Sequence, residues 1–354
     1  MQFQNDAARY AGAVAGCRRW LVMTAMIAAS LAGGASAQTT PPAKEPVAKA
    51  PAKAAATPPA KPVVEARKLF GAKSDAAPLA PRAIGFYSRG CLAGAQPLPI
   101  DGPTWQAMRL SRNRNWGHPA LITLVERLAN DAKAKDGWPG LLVGDLSQPR
   151  GGPMLTGHAS HQIGLDADIW LTPMPNRRLS ETEREELSAV SMLGPDGVLV
   201  DGKVFTQGHA RLIRRAATYP EVERILVHPG IKKALCLDPA SDKASLTKIR
   251  PFWGHHYHMH IRIACPAGSE GCAGQAPVGS DDGCGQEVDS WIALLRRPAK
   301  PAEPGAKPPP PKPGLTLEQL PAECRIVLEA SAKPGSSATI PALPGSPKAL
   351  AGGR

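Results

Sequence analysis

Six of the nine histidines fall in two short segments. The first is Gly157-His158-Ala159-Ser160-His161-Gln162-Ile163-Gly164-Leu165-Asp166-Ala167-Asp168, and the second is Trp253-Gly254-His255-His256-Tyr257-His258-Met259-His260. Neutral imidazoles gathered with carboxylates are the ligands that a borderline-soft divalent cation such as zinc requires. A structural site closes its coordination with four protein ligands, whereas a catalytic site keeps three and leaves a position for water. The chemistry open to these segments is therefore metal-assisted hydrolysis. His161 and Asp168 are the candidate ligands of the first segment, joined by His258 or His260 from the second. His118, His209 and His228 stand alone and read as satisfied core or surface residues.

These side chains need elements that aim them at one point. His258 to Ile263 alternates strictly, with His258, His260 and Arg262 on one face and Met259, Ile261 and Ile263 on the other. The apolar face belongs to a core, so both histidines face a polar cleft, and alternation alone does not choose between them. Leu165 to Leu171 also alternates, with Asp166 and Asp168 opposite Leu165, Ala167 and Ile169. Gly164 permits a bend between the loop carrying His161 and this strand. Leu121, Leu124, Val125 and Leu128 after Pro119 predict a helix, and Leu212, Ile213 and Ala216 a second. Strands are expected at 141–143 and 225–227. Helices interspersed with few short strands indicate an α+β fold with a small antiparallel sheet core flanked by helices and loops.

Around this domain, expected over residues 82–296, the composition changes. Arg18-Arg19, the apolar run Trp20 to Leu31 and Ala35-Ser36-Ala37 have the layout of a cleaved export signal over residues 1–37. Residues 38–80 are rich in Ala, Pro and Lys and are expected to form a mobile linker. Residues 297–354 form a Pro-rich tail that carries Cys324. Cys17 leaves with the signal; Cys91, Cys236, Cys265, Cys272, Cys284 and Cys324 remain, an even number suited to disulfides in an oxidising compartment. The formal net charge of +12 fits an anionic partner such as a wall polymer. No recognition-helix or finger pattern points to nucleic acid.

His161, six residues and Asp168, followed by His258-Met259-His260, resembles the signature of the LAS metallopeptidases. Gly90 to Ala95, Gly117-His118-Pro119, Gly157 to Trp170, Leu235 to Asp238, Arg250-Pro251, His255 to Ile263 and Gly283-Cys284-Gly285 are similar to the penicillin-insensitive murein endopeptidases. The similarity covers Ile84 to Trp291 and extends to Cys324. It implies zinc held by His161, Asp168 and His260, with His258 as general base and His255 polarising the substrate or stabilising an oxyanion. His158 and Asp196 match positions that bind an additional metal ion in the family. Leu199 stands where that site needs a histidine, so His158 reads equally well as a residue supporting His161. The implied disulfides are Cys91–Cys324, Cys236–Cys284 and Cys265–Cys272.

The implied function is zinc-dependent hydrolysis of D-alanyl-meso-diaminopimelyl cross-links in peptidoglycan, by attack of metal-bound water, in the periplasm. Peptidoglycan is then the partner, nucleic acid and a stable membrane span after signal cleavage are not expected, and a homodimer is compatible. The carboxylate base of the D-Ala-D-Ala dipeptidase branch has no counterpart between His255 and His260, and Ala159 replaces that branch's serine. A zinc D,D-carboxypeptidase is the alternative enzyme, and a non-catalytic wall-binding protein the alternative of another class.

Overall fold

The computed structural model describes residues 64–298 and 313–331. Helix α1 (Ala66–Gly71) precedes a hairpin of β1 (Arg82–Phe86) and β2 (Arg89–Ala93). Short strands β3 (Gln96–Pro97), β4 (Trp105–Ala107) and β5 (Trp116–Gly117) lead into the long helix α2 (Pro119–Asp136). Then come β6 (Leu141–Val143), β7 (Asp166–Trp170), α3 (Glu181–Glu186), α4 (Gln207–Ala217), β8 (Val222–Val227), α5 (Pro229–Leu237), α6 (Lys243–Lys248), β9 (Ile249–Pro251) and β10 (His258–Ile263). Helices α7 (Gln286–Leu295) and α8 (Glu323–Glu329) follow.

The main sheet runs β4-β6-β7-β10-β8-β9. Its centre is antiparallel, as the sequence suggests, but both edge pairs, β4 with β6 and β8 with β9, are parallel. A parallel pair needs a crossover. Helix α2 supplies one between β4 and β6, and α5 with α6 supplies the other.

The alternation in β7 and β10 decides which face is core. Ala167, Ile169, Met259 and Ile261 are fully buried with Leu121, Leu124, Val125 and Leu128 of α2 and Leu212, Ile213 and Ala216 of α4. Helix α2 starts where Pro119 cannot donate, and His118 Nδ1 accepts from the Ala120 amide. Helix α5 starts the same way, with His228 Nδ1 accepting from Gly230 N after Pro229. His209 closes the capping box of α4 with Thr206. All three isolated histidines thus cap helix starts, two as the N-cap and His209 from the first turn.

A second apolar cluster joins α1, the β1–β2 hairpin and α8 around Phe70, Ile84, Cys91, Cys324 and Val327. The sequence places Ala66–Gly71 inside the expected linker. Burial of Ala66 and Phe70 anchors that helix instead, so a mobile reading does not extend to these residues. The rest of the linker up to residue 63, the export signal and most of the tail lie outside the described residues. Cys91–Cys324 ties α8 to β2, and Arg150 donates to the Val327, Leu328 and Ala330 carbonyls at the end of α8. Cys236–Cys284 and Cys265–Cys272 complete the pairing that the resemblance implies. Among the described residues no helix is long and apolar enough to cross a membrane.

Lys232 of α5 is fully buried, and its Nζ donates to the carbonyls of Leu246 (2.8 Å) and Asp282. Burial, with Arg250 nearby, pushes its pKa down to about 8. The unfolded chain, with a lysine pKa of about 10.4, holds more protons than the folded one between these values. This group's contribution to stability therefore rises as pH climbs from about 8 to about 10.4. In thermal denaturation, wild type is expected to gain on Lys232→Met across that interval; a pH-independent gap would contradict the assignment.

Candidate metal centre

The polar face of β7 and β10 assembles the site through its register. His260 lies opposite Asp168, Arg262 opposite Asp166 and His258 opposite Trp170, and directly opposed residues share a face. His158 and His161 arrive from the loop before β7. Gly164 makes the turn: at φ 70° an added Cβ would lie 2.3 Å from Leu92 Cδ2 and 3.0 Å from the His118 amide. His161 itself has φ 68°, costly for a residue with a Cβ. Two contacts hold it there. Ser147 Oγ donates to its carbonyl at 2.6 Å, and its amide donates to Asp166 Oδ2 at 3.2 Å.

Asp168 is the hub. Its Oδ1 lies 3.1 Å from His260 Nδ1, 3.5 Å from His161 Nε2 and 3.6 Å from His258 Nε2, while Oδ2 lies 3.4 Å from His158 Nε2. Asp168 Oδ1 and both ring nitrogens of His161 are nevertheless buried without a hydrogen-bond partner. Leaving such atoms unsatisfied costs about 1–3 kcal/mol each, so their convergence needs a reason. A tetrahedral zinc ion with bonds of about 2.0–2.2 Å separates its ligands by roughly 3.3–3.6 Å. The spacing and the donor types fit a divalent cation. His158, His161 and Asp168 each offer an atom within 4.8 Å of the others. His260 also neighbours both His161 and Asp168, its ring 4.7 Å from that of His161.

Asp166 is a residue that ligand spacing alone passes over. It is fully buried, and its Oδ1 accepts from His260 Nε2 at 2.7 Å and from Arg262 Nε at 2.6 Å. With Nε2 so engaged, His260 turns Nδ1 towards Asp168. The signal was legible as alternation, which puts Asp166 on the face of Asp168. Asp145, just after β6, carries no such signal in the sequence. Its Oδ2 receives Arg114 (2.8 Å) and Arg112 (3.1 Å) and lies 3.3 Å from His158 Nε2.

Charge follows this geometry. Burial would raise the carboxyls of Asp166 and Asp168, but Arg262 and His260 hold the first, and His258 and His161 the second, well below the usual carboxylate range. Burial pushes His258 down to about 4 against the pull of Asp168, so its ring is neutral at pH 7. Its Nδ1 is buried without a partner. Burial, with His258 and His260 close by, also holds His255 well below the usual histidine range. The Trp253 carbonyl, 2.9 Å from His255 Nδ1, can only accept, so Nδ1 carries the proton and Nε2 the lone pair.

Asp196 sits apart on an exposed turn, where its Oδ1 accepts from the amides of Val198 (3.0 Å) and Leu199 (3.1 Å). Among the described residues it is not in the cluster of His158, His161 and Asp168. His256 Nδ1 lies 3.0 Å from Ser191 Oγ.

A sheet face on an α+β scaffold gathers buried imidazoles around one carboxylate, a donor set that could hold a metal ion. Residues 83–329 match the family model of the penicillin-insensitive murein endopeptidases, and the chain belongs to that family. It is similar to the penicillin-insensitive murein endopeptidase of Haemophilus influenzae, 45% identical over 239 residues, which is 67% of this chain and 82% of the relative. The Klebsiella pneumoniae protein of the same name is 41% identical over 248 residues, 70% of this chain and 86% of the relative. The Yersinia enterocolitica protein is 40% identical over 250 residues, again 70% and 86%.

Proposed function

We propose that this chain is an exported zinc endopeptidase that hydrolyses D-alanyl-meso-diaminopimelyl cross-links of peptidoglycan. The observation that carries the reading is the set of buried, unpartnered donors around Asp168. His161, Asp168 and His260 would hold the ion. His260 is preferred over His158 as third ligand because Asp166 fixes its tautomer with Nδ1 inward, the arrangement that orients metal-binding histidines. His158, a quarter exposed and shared between Asp145 and Asp168, supports the site from its rim. When bound, the ion supplies Lewis acidity that acidifies water and polarises a carbonyl.

The protein's own groups do the rest. Neutral His258 accepts the proton of the attacking water and can return it to the leaving amine. Neutral His255 presents a lone pair at Nε2, so it donates to a developing oxyanion only after gaining a proton. Neither step needs a serine nucleophile, consistent with penicillin insensitivity.

The domain over 82–296 would be the catalytic unit, tied to its tail through Cys324. The disulfides and the substrate together favour a periplasmic location reached through a signal cleaved near residue 37. Purified cross-linked muropeptide dimers are expected to yield monomers, to stop yielding them with a chelator, and to resume when zinc is restored. Absence of monomer, or cleavage indifferent to the chelator, would refute the reading. Release of free D-alanine from monomers instead would identify a D,D-carboxypeptidase.

A further inference from the structure

The turn between β4 and β5 is built at a cost. Among the described residues three non-glycine positions have left-handed φ: His161 at the site, and Arg109 (57°) and Asn113 (49°), which bracket the 3₁₀ turn Leu110–Arg112. Such strain persists only where the surroundings impose it, and it collects at ligand clamps. Here the surroundings do impose it. The Arg109 guanidinium donates to the carbonyls of Arg184 (2.9 Å), Glu185 and Leu187 (2.9 Å). The Ser111 amide and hydroxyl both donate to the Glu185 carboxylate at 2.8 Å, and Trp116 Nε1 donates to Asn113 Oδ1 at 2.7 Å.

What the rigid turn presents is Arg112. Its side chain is 46% exposed, and Nη1 lies 3.1 Å from Asp145 Oδ2. Asp145 does not require it, because buried Arg114 already pairs with the same oxygen at 2.8 Å. Arg112 Nε and Nη2 have no hydrogen-bond partner among the described residues. From Arg112 the contacts run 3.1 Å to Asp145, 3.3 Å on to His158 Nε2 and 3.4 Å on to Asp168. The guanidinium is therefore no farther from the centre than about three residues of extended chain can reach. A planar fork with free N–H groups beside a reaction centre is matched by a carboxylate.

We infer that Arg112 is a substrate anchor that grips a free carboxylate of the peptidoglycan stem peptide within about three residues of the scissile amide. This rests on the murein reading above. Bound there, the carboxylate fixes which amide lies over Asp168, with Asp145 holding the other edge of the guanidinium.

The test compares wild type, Arg112→Ala and Arg112→Lys on cross-linked dimers, either unmodified or amidated at one carboxylate: the glutamyl α-carboxyl or the free carboxyl of either diaminopimelyl residue. Arg112→Ala is expected to raise KM for the unmodified dimer roughly 10- to 100-fold, the range of a charge-assisted pair, with kcat within about threefold of wild type. Arg112→Lys, which keeps the charge and loses the fork, should recover only part. Amidating the carboxylate that is gripped should impose the same KM on wild type and nothing further on Arg112→Ala. An unchanged KM, a fall in kcat alone, or penalties that multiply for every amidated dimer would overturn the anchor. If wild type cleaves no dimer, the murein reading fails by itself, and the anchor is judged by equilibrium binding of the same dimers to wild type and Arg112→Ala. Binding that is equal for both proteins overturns it; a 10- to 100-fold weaker binding by the variant, abolished by one amidation, supports it.

Discussion

His258→Gln is expected to lower kcat for dimer cleavage by about 10²- to 10⁴-fold, the range of a positioned general base, while zinc content stays at the wild-type level. His260→Ala is expected to lose both. The two residues share a strand face and differ by one alternation, so they make a matched pair. What separates them is their partners. His260 Nε2 is held by Asp166, which frees Nδ1 for a cation. His258 has a buried, unpartnered Nδ1, stands 3.6 Å from Asp168 and has no carboxylate behind it. Burial keeps its ring neutral, as a base must be before it takes a proton. Metal analysis of both purified variants, alongside single-turnover rates, checks the division. Loss of zinc in His258→Gln would move that residue into the ligand set.

The candidate site is legible in the sequence because its chemistry-bearing residues are scarce types crowded into two segments, and a period of two says which of them share a face. It could not say that Asp168 stands opposite His260. That register is set by pairing across some ninety residues and by the core face, where Ala167, Ile169, Met259 and Ile261 meet α2 and α4. The same holds for Asp145 and Arg114, since only the folded chain brings Asp145, just after β6, beside His158 and sets Arg114, from the turn before β5, against Asp145. The parallel edges of the sheet depend on crossovers that no local pattern encodes. Phe70 shows the reverse limit: one aromatic residue in a Pro/Ala-rich segment is enough to bury a turn of helix when a disulfide-tied partner is waiting. The histidines at 118, 209 and 228 stand alone in the sequence, and the structure gives each a capping bond at a helix start that composition could not reveal.

Asp166 carries the heaviest structural duty at the centre, and its removal should show in two independent measurements. Its carboxylate accepts from His260 and Arg262 and holds the left-handed backbone of His161 through the amide. Arg262 is further committed, stacked 3.6 Å over the Tyr87 ring and bonded to Gln275. Asp166→Ala leaves that guanidinium buried without its carboxylate, a change that typically costs 3–5 kcal/mol. The expected fall in Tm is roughly 6–20 °C for a domain of this size. Loss of the brace on His260 should weaken zinc binding about 10- to 100-fold, read by competition with a chelator. Asp166→Asn keeps an acceptor but not the charge, and should lie between the two. Because the Asp166 carboxyl is held well below its usual range, the brace is fully present above the unfolded value of about 3.9 and weakens only as pH falls below it. A variant that melts early yet binds zinc as wild type does would confine Asp166 to stability and leave the orientation of His260 to Asp168 alone.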